Sequence, residues 1–218
     1  AIRGTSTPFV SNGLNSDRIP GTERHLISLQ YSDSAFLGQE LVGQVYYRDE
    51  SLRFYPFPTV NANKQVTAFS SSQQDTDQYG MKLTLNSKPM DGWQITWGLD
   101  ADHERFTSNQ MFFDLAQASA SGGLNNKKIY TTGRYPSYDI TNLAAFLQSG
   151  YDINNLFTLN GGVRYQYTEN KIDDFIGYAQ QRQIAAGKAT SADAIPGGSV
   201  DYDNFLFNAG LLMHITER

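Results

Sequence analysis

The sequence predicts an all-β chain: an antiparallel transmembrane β-barrel, present as an incomplete segment of about seven strands. Three observations predict it. Stretches such as "LFTLNGGVRYQYTEN" (156–170) alternate strictly, with Leu159, Val163, Tyr165 and Tyr167 on one parity and Thr158, Asn160, Arg164, Gln166 and Thr168 on the other. A strand of period two sorts these onto opposite faces. The connections alternate between short and long, as the turns and external loops of outer-membrane barrels do. Finally, 13 Tyr and 13 Phe sit in a chain that is only 39% hydrophobic, a mixture suited to aromatic belts at two membrane interfaces.

Taken in order, the first strand is weak: over 25–32, Ile27, Leu29 and Tyr31 oppose Ser28, Gln30 and Ser32. A short polar link leads to a second over 41–48, and a long one, from Glu50 to about Thr76, follows. In 79–86, Tyr79, Met81, Leu83 and Leu85 oppose Gly80, Lys82, Thr84 and Asn86. "NSKPMDG" (86–92) is a Pro/Gly turn. In 93–102, Trp93, Ile95, Trp97, Leu99 and Ala101 oppose Gln94, Thr96, Gly98, Asp100 and Asp102. The long 107–139 link, a strand over 142–151 and the tight "DINN" turn (152–155) lead into 156–170. After the long 169–201 link, Phe205, Phe207, Ala209, Leu211, Met213 and Ile215 share one parity of 205–216. "FFDLAQASA" (112–120) and "FIGYAQQRQIAAGKA" (175–189) read as short loop helices and receive no site.

This pattern fixes faces as well as strands. Leu159, Val163, Tyr165 and Tyr167 are expected to face lipid and Arg164 water. Tyr31, Trp93 and Tyr151 fall near the short-turn rim, and Tyr79, Tyr165, Tyr167, Phe205 and Phe207 near the other. The competing fold is a soluble β-sandwich, which has no reason to gather its long loops at one end.

Several function classes drop out. There is no cysteine, hence no thiolate metal site or disulfide framework. With 17 Lys+Arg against 22 Asp+Glu, and no basic run, a nucleic-acid surface is not expected. No apolar run approaches the ~20 residues of a membrane helix, and the polar N-terminus reads as a loop rather than a signal peptide. His25, His103 and His214 lie on separate strands without ligand spacing, so neither a metal nor a cofactor is expected. The glycines of "SGGLNN" and "LNGG" lack the strand–loop–helix setting of a phosphate loop.

Asp100, Asp102 and Glu104 share one face, roughly 6–7 Å apart per step. They read as a hydrated acidic ladder; the alternative is a barrel hydrolase, which needs a nucleophile or base beside them. His103 points the other way. The loops and strand tops gather basic and aromatic residues: Arg53, Phe54, Tyr55 and Phe57; Arg105 and Phe106; Lys127, Lys128, Tyr130, Arg134, Tyr135 and Tyr138. Arginine forks grip carboxylates and aromatic walls add contact at low entropy cost. Arg105, Phe106, Arg134, Tyr135, Tyr138 and Tyr55 are therefore the candidate ligand-binding residues. A structural barrel or adhesin would use the same strands without such convergence.

"TNLAAFLQSGYDINNLFTLNGGVRYQYTEN" resembles a hairpin of TonB-dependent outer-membrane siderophore receptors, through Phe146, Gln148, Gly161, Gly162, Arg164 and Tyr165. "WGLDADHERF", "GRYPSYDI" and "SVDYDNFLF" extend the resemblance across residues 1–218, as one segment from the middle of such a receptor's barrel domain, without the plug. The resemblance implies a barrel of the 22-stranded type in the bacterial outer membrane. It further implies a non-enzymatic importer of a ferric hydroxamate–citrate siderophore, aerobactin. Its partners would be TonB through the plug, outer-membrane lipid, and bacteriocins or phages at the external loops.

Overall fold

The computed structural model describes residues 21–54, 56–123 and 125–215. Seven long strands lie side by side in chain order: β1 (Gly21–Phe36), β2 (Gln39–Arg53), β4 (Val66–Met90), β5 (Trp93–Phe113), β7 (Tyr138–Asn154), β8 (Phe157–Ile172) and β9 (Gly198–Met213). Every neighbouring pair is antiparallel. Two short strands join the top of this sheet, β3 (Phe57–Val60) on β4 and β6 (Lys128–Gly133) on β5. Two short helices complete the elements, α1 (Leu115–Ala120) and α2 (Tyr178–Ala185), both within the stretches read as loop helices.

The register fixes the faces. Leu83 pairs with Leu99, Leu99 with Ala145, Ala145 with Tyr165 and Tyr165 with Phe205, so the apolar parities of five strands line one face. That face is bare: Ile27 is 72% exposed, Leu29 71% and Phe207 78%. A soluble sandwich would bury such side chains against a second sheet, and none of the described elements covers them. The opposite face carries Lys82, Asp100, Asn142, Arg164 and Gln166. An apolar outer wall with a polar lumen is the barrel arrangement.

At the turn rim the links are tighter than expected from the sequence. Leu37 and Gly38 both adopt positive φ (49° and 79°) between the paired Phe36 and Gln39. This is the two-residue turn whose twist matches a hairpin. "NSKPMDG" contracts to Asp91–Gly92, because β4 runs on through Met90. In the next turn Asn154 Oδ1 accepts the backbone N–H groups of Leu156 and Phe157 at 2.8 and 3.0 Å.

At the opposite rim the expected long loops are shorter than the sequence suggested, because the strands continue into them. The 50–76 link contains the end of β2, all of β3 and the start of β4. The 107–139 link contains the top of β5, α1 and β6; the 169–201 link contains the end of β8, α2 and the start of β9. At about 3.3 Å per residue, a 25-residue strand such as β4 spans about 80 Å, far more than the ~30 Å of a hydrocarbon core. The excess stands beyond the membrane, where no lipid selects an apolar face, so it carries no alternation. The Pro/Gly-free run "VTAFSSSQQDTDQ" is β-structure without an apolar face.

Candidate ligand site at the external rim

Below the rim, the inner wall is a network of ion pairs and hydrogen bonds. Arg164 Nη1 lies 2.7 Å from Asp100 Oδ2. Asp102 accepts from Asn142 at 3.0 Å, and Asn142 in turn accepts from Thr168 at 2.8 Å. Glu104 faces Arg48 at 3.7 Å. The acidic ladder is thus tied strand to strand, each carboxylate with a partner.

On the outer wall, the aromatic belts form at the two expected heights. Trp93 pairs with Tyr151 near the turns and donates to Ser149 Oγ at 2.9 Å. Towards the other rim Tyr165 packs on Phe205 at 4.9 Å, and Tyr47 donates to Asp77 Oδ1 at 2.6 Å. A tyrosine with its ring in the apolar band and its hydroxyl on a carboxylate above it suits a membrane interface.

The candidate residues separate at the external rim. Phe106 has the parity of Asp100 and Asp102, and its ring stacks on Tyr138 at 4.7 Å and 13°. Arg134 follows β6 on the same inner side: its backbone N–H donates to Ser108 O and its Nη1 to Gln110 Oε1 at 2.9 Å. Its guanidinium sits 5.3 Å from the centre of the Tyr135 ring. Arg105 has the parity of Leu99 and Ala101, so the structure places it on the outer wall, apart from the other candidates. There it is held by Asp139 at 2.8 Å and Asp173 at 3.3 Å. Tyr55 lies outside the described residues.

The sequence reading missed the contribution of α2. This helix packs against β6, with Gln181 Oε1 accepting the Gly133 N–H at 2.7 Å. Arg182 lies 4.9 Å from the centre of the buried Phe112 ring and 5.9 Å from that of Tyr178. Phe112 also stacks on Tyr130 at 4.8 Å. Burial raises the Tyr178 hydroxyl above its ordinary value, opposed by Arg182 and Arg134, which lower it. Tyr178 is therefore a neutral wall at physiological pH. No local pattern announces the Phe112–Arg182 pairing, because its members are far apart in sequence.

Arg24, Arg48, Arg105 and Arg164 each hold a carboxylate. Among the described residues Arg53, Arg134 and Arg182 do not. These three rim guanidinium groups make their contacts with neutral or aromatic side chains instead: Arg53 donates to Gln73, Arg134 to Gln110, and Arg182 lies on rings. A fixed cation without an internal counter-ion is free to take an anion from solution.

The family model described as "TonB dependent receptor-like, beta-barrel" matches residues 3–218. The chain belongs to that family. Receptor barrels of this family lie in the bacterial outer membrane, so the bare face of Leu99, Leu159 and Phe207 is the lipid face. The chain is 94% identical over 217 residues to the ferric aerobactin receptor of Escherichia coli, covering 100% of this chain and 30% of that protein. It is 44% identical over 205 residues to the rhizobactin receptor of Rhizobium meliloti (strain 1021), covering 94% of this chain and 28% of that one. It thus spans less than a third of each of these two relatives. The ferric yersiniabactin uptake receptor FyuA from Yersinia pestis shares the fold, with a TM-score of 0.60 at 12% identity over 94% of this chain and 28% of its own. These relatives are receptors rather than hydrolases, and the carboxylate ladder is held by Arg164, Asn142 and Arg48.

Proposed function

We propose that this chain is the wall and mouth of an outer-membrane importer of a ferric hydroxamate–citrate siderophore, ferric aerobactin, driven through TonB. The observation that carries this reading is Arg134: a guanidinium at the inner edge of the mouth, fixed by Gln110 and Tyr135, with no carboxylate partner among the described residues. The 94% identity to a ferric aerobactin receptor supports the cargo. In this reading Arg134 grips a free carboxylate of the ferric complex while Tyr135 and the stacked Phe106–Tyr138 pair wall its bulk. Contact with TonB belongs to the plug. The external loops are the surface that a bacteriocin or phage would meet.

Purified full-length receptor titrated with ferric aerobactin tests this. Replacing Arg134 by alanine is expected to weaken binding about tenfold or more, the effect of losing one well-formed charged hydrogen bond. A parent receptor that ignores ferric aerobactin would sink the cargo. An unchanged R134A affinity would sink the site.

A further inference from the structure

Between α2 and β6 lies a cleft of about 210 Å³ lined by Tyr130, Ala179, Arg182, Gln183, Ala186 and Lys188. We propose that it is a second anion subsite of the mouth, with Arg182 as the gripping residue and Lys188 as the outer cation, taking a carboxylate of the incoming ferric chelate. This rests on the importer reading above but assigns residues on a different element from Arg134.

Four features point the same way. The lining holds two cations and no carboxylate. The Nε of Arg182 is buried and makes no hydrogen bond within the protein. A buried donor without an acceptor costs stability, and such sites invite a ligand acceptor. The guanidinium is also held in place before any ligand arrives, lying over Phe112 and Tyr178. The helix that carries it is itself fixed: Gln181 accepts from Gly133 N–H and donates to Ile176 O, and Phe175 and Ile195 exchange backbone hydrogen bonds beneath it. Preorganisation of this kind removes most of the ordering cost of binding. The cleft is too small for a whole siderophore, and its volume suits one carboxylate-bearing arm.

The test is a pairing of variants with ligands on the full-length receptor. Ferric aerobactin and the same complex with its free carboxylates converted to methyl esters are titrated against the parent, Arg182→Met, Arg182→Lys and Lys188→Gln. The expected result is roughly tenfold weaker binding of the carboxylate form by Arg182→Met, with partial recovery by Arg182→Lys. A smaller loss is expected for Lys188→Gln, and its salt dependence should be shallower than the parent's. The ester should bind Arg182→Met and parent alike. Equal losses for both ligands would mean that Arg182 only holds α2 in place, and unchanged binding of both would mean that the cleft takes no anion; either overturns the subsite. If Arg134→Ala weakens binding while Arg182→Met does not, the subsite fails and the importer reading stands. If the parent binds neither ligand, the importer reading itself fails.

Discussion

Arg164 on β8 reaches across β7 to Asp100 on β5, bringing Nη1 within 2.7 Å of Oδ2. It passes over the Phe146 ring at 6.0 Å. The path is open because the residue opposite Asp100 on β7 is Ala144, whose side chain is one methyl. The pair therefore ties together two strands that share no backbone hydrogen bond.

A double-mutant cycle with Arg164→Met and Asp100→Asn in the full-length receptor is expected to give a coupling of about 1–2 kcal/mol. This is the range of a charged hydrogen bond, reduced because both side chains remain partly open to water. Urea unfolding of the barrel in detergent measures it. Additive single effects would show that the bridge contributes nothing.

Close approach of two strands makes Gly98 irreplaceable. A Cβ there would lie 2.6 Å from the Phe146 ring and against the Leu83 carbonyl. Gly98→Val is expected to block folding or lower stability by about 1–3 kcal/mol, the usual cost of overpacking. Adding Phe146→Ala should recover only part of the loss, since the backbone clash with Leu83 remains. Heat modifiability on gels reads both variants, and a fully stable Gly98→Val would contradict the geometry.

Parity made the membrane-spanning part of this fold legible. Trp97, Leu99, Leu143 and Val163 alternate with Gly98, Asp100, Asn142 and Arg164 because lipid touches one face and water the other. Above the membrane that contrast disappears. Ser70, Ser72 and Gln110 are buried in β4 and β5, yet nothing in their sequence marks them as strand rather than loop. The candidate site divides along the same line. The opposite faces of Arg105 and Phe106 were already implied by counting from Leu99, whereas Arg182 meets Phe112 only through the folding of the 173–197 segment over β6.

The lipid face should reject charge that the lumen face accepts. Leu99 and Gln148 lie on neighbouring strands with opposite parity, Leu99 beside Ala145 and Gln148 beside Thr96. Leu99→Arg is expected to cost about 2–4 kcal/mol of folding free energy in bilayers, the depth-dependent penalty near the midplane. Gln148→Arg, in a wet lumen, should cost under about 1 kcal/mol, as ordinary exposed substitutions do. Equal effects in vesicle-refolding measurements would mean that the two faces have been assigned the wrong way round.

The sharpest contrast is between adjacent residues. Phe106 points inward and stacks on Tyr138, while Arg105 points outward into Asp139 and Asp173. Phe106→Ala removes one wall of the mouth and leaves the Tyr138 face without its partner. It is expected to weaken ferric aerobactin binding several-fold, consistent with about 0.5–1.5 kcal/mol for an aromatic pair beyond its buried area. Arg105→Ala removes a cation whose donors already serve two carboxylates on the outer wall. Ligand affinity should stay at the parent value, and the receptor should lose under about 1 kcal/mol of stability because the Arg105 pairs are exposed. Isothermal titration of both variants, with surface abundance checked in parallel, separates the two outcomes. Loss of binding in Arg105→Ala at normal abundance would place Arg105 in the mouth and overturn the face assignment at the rim.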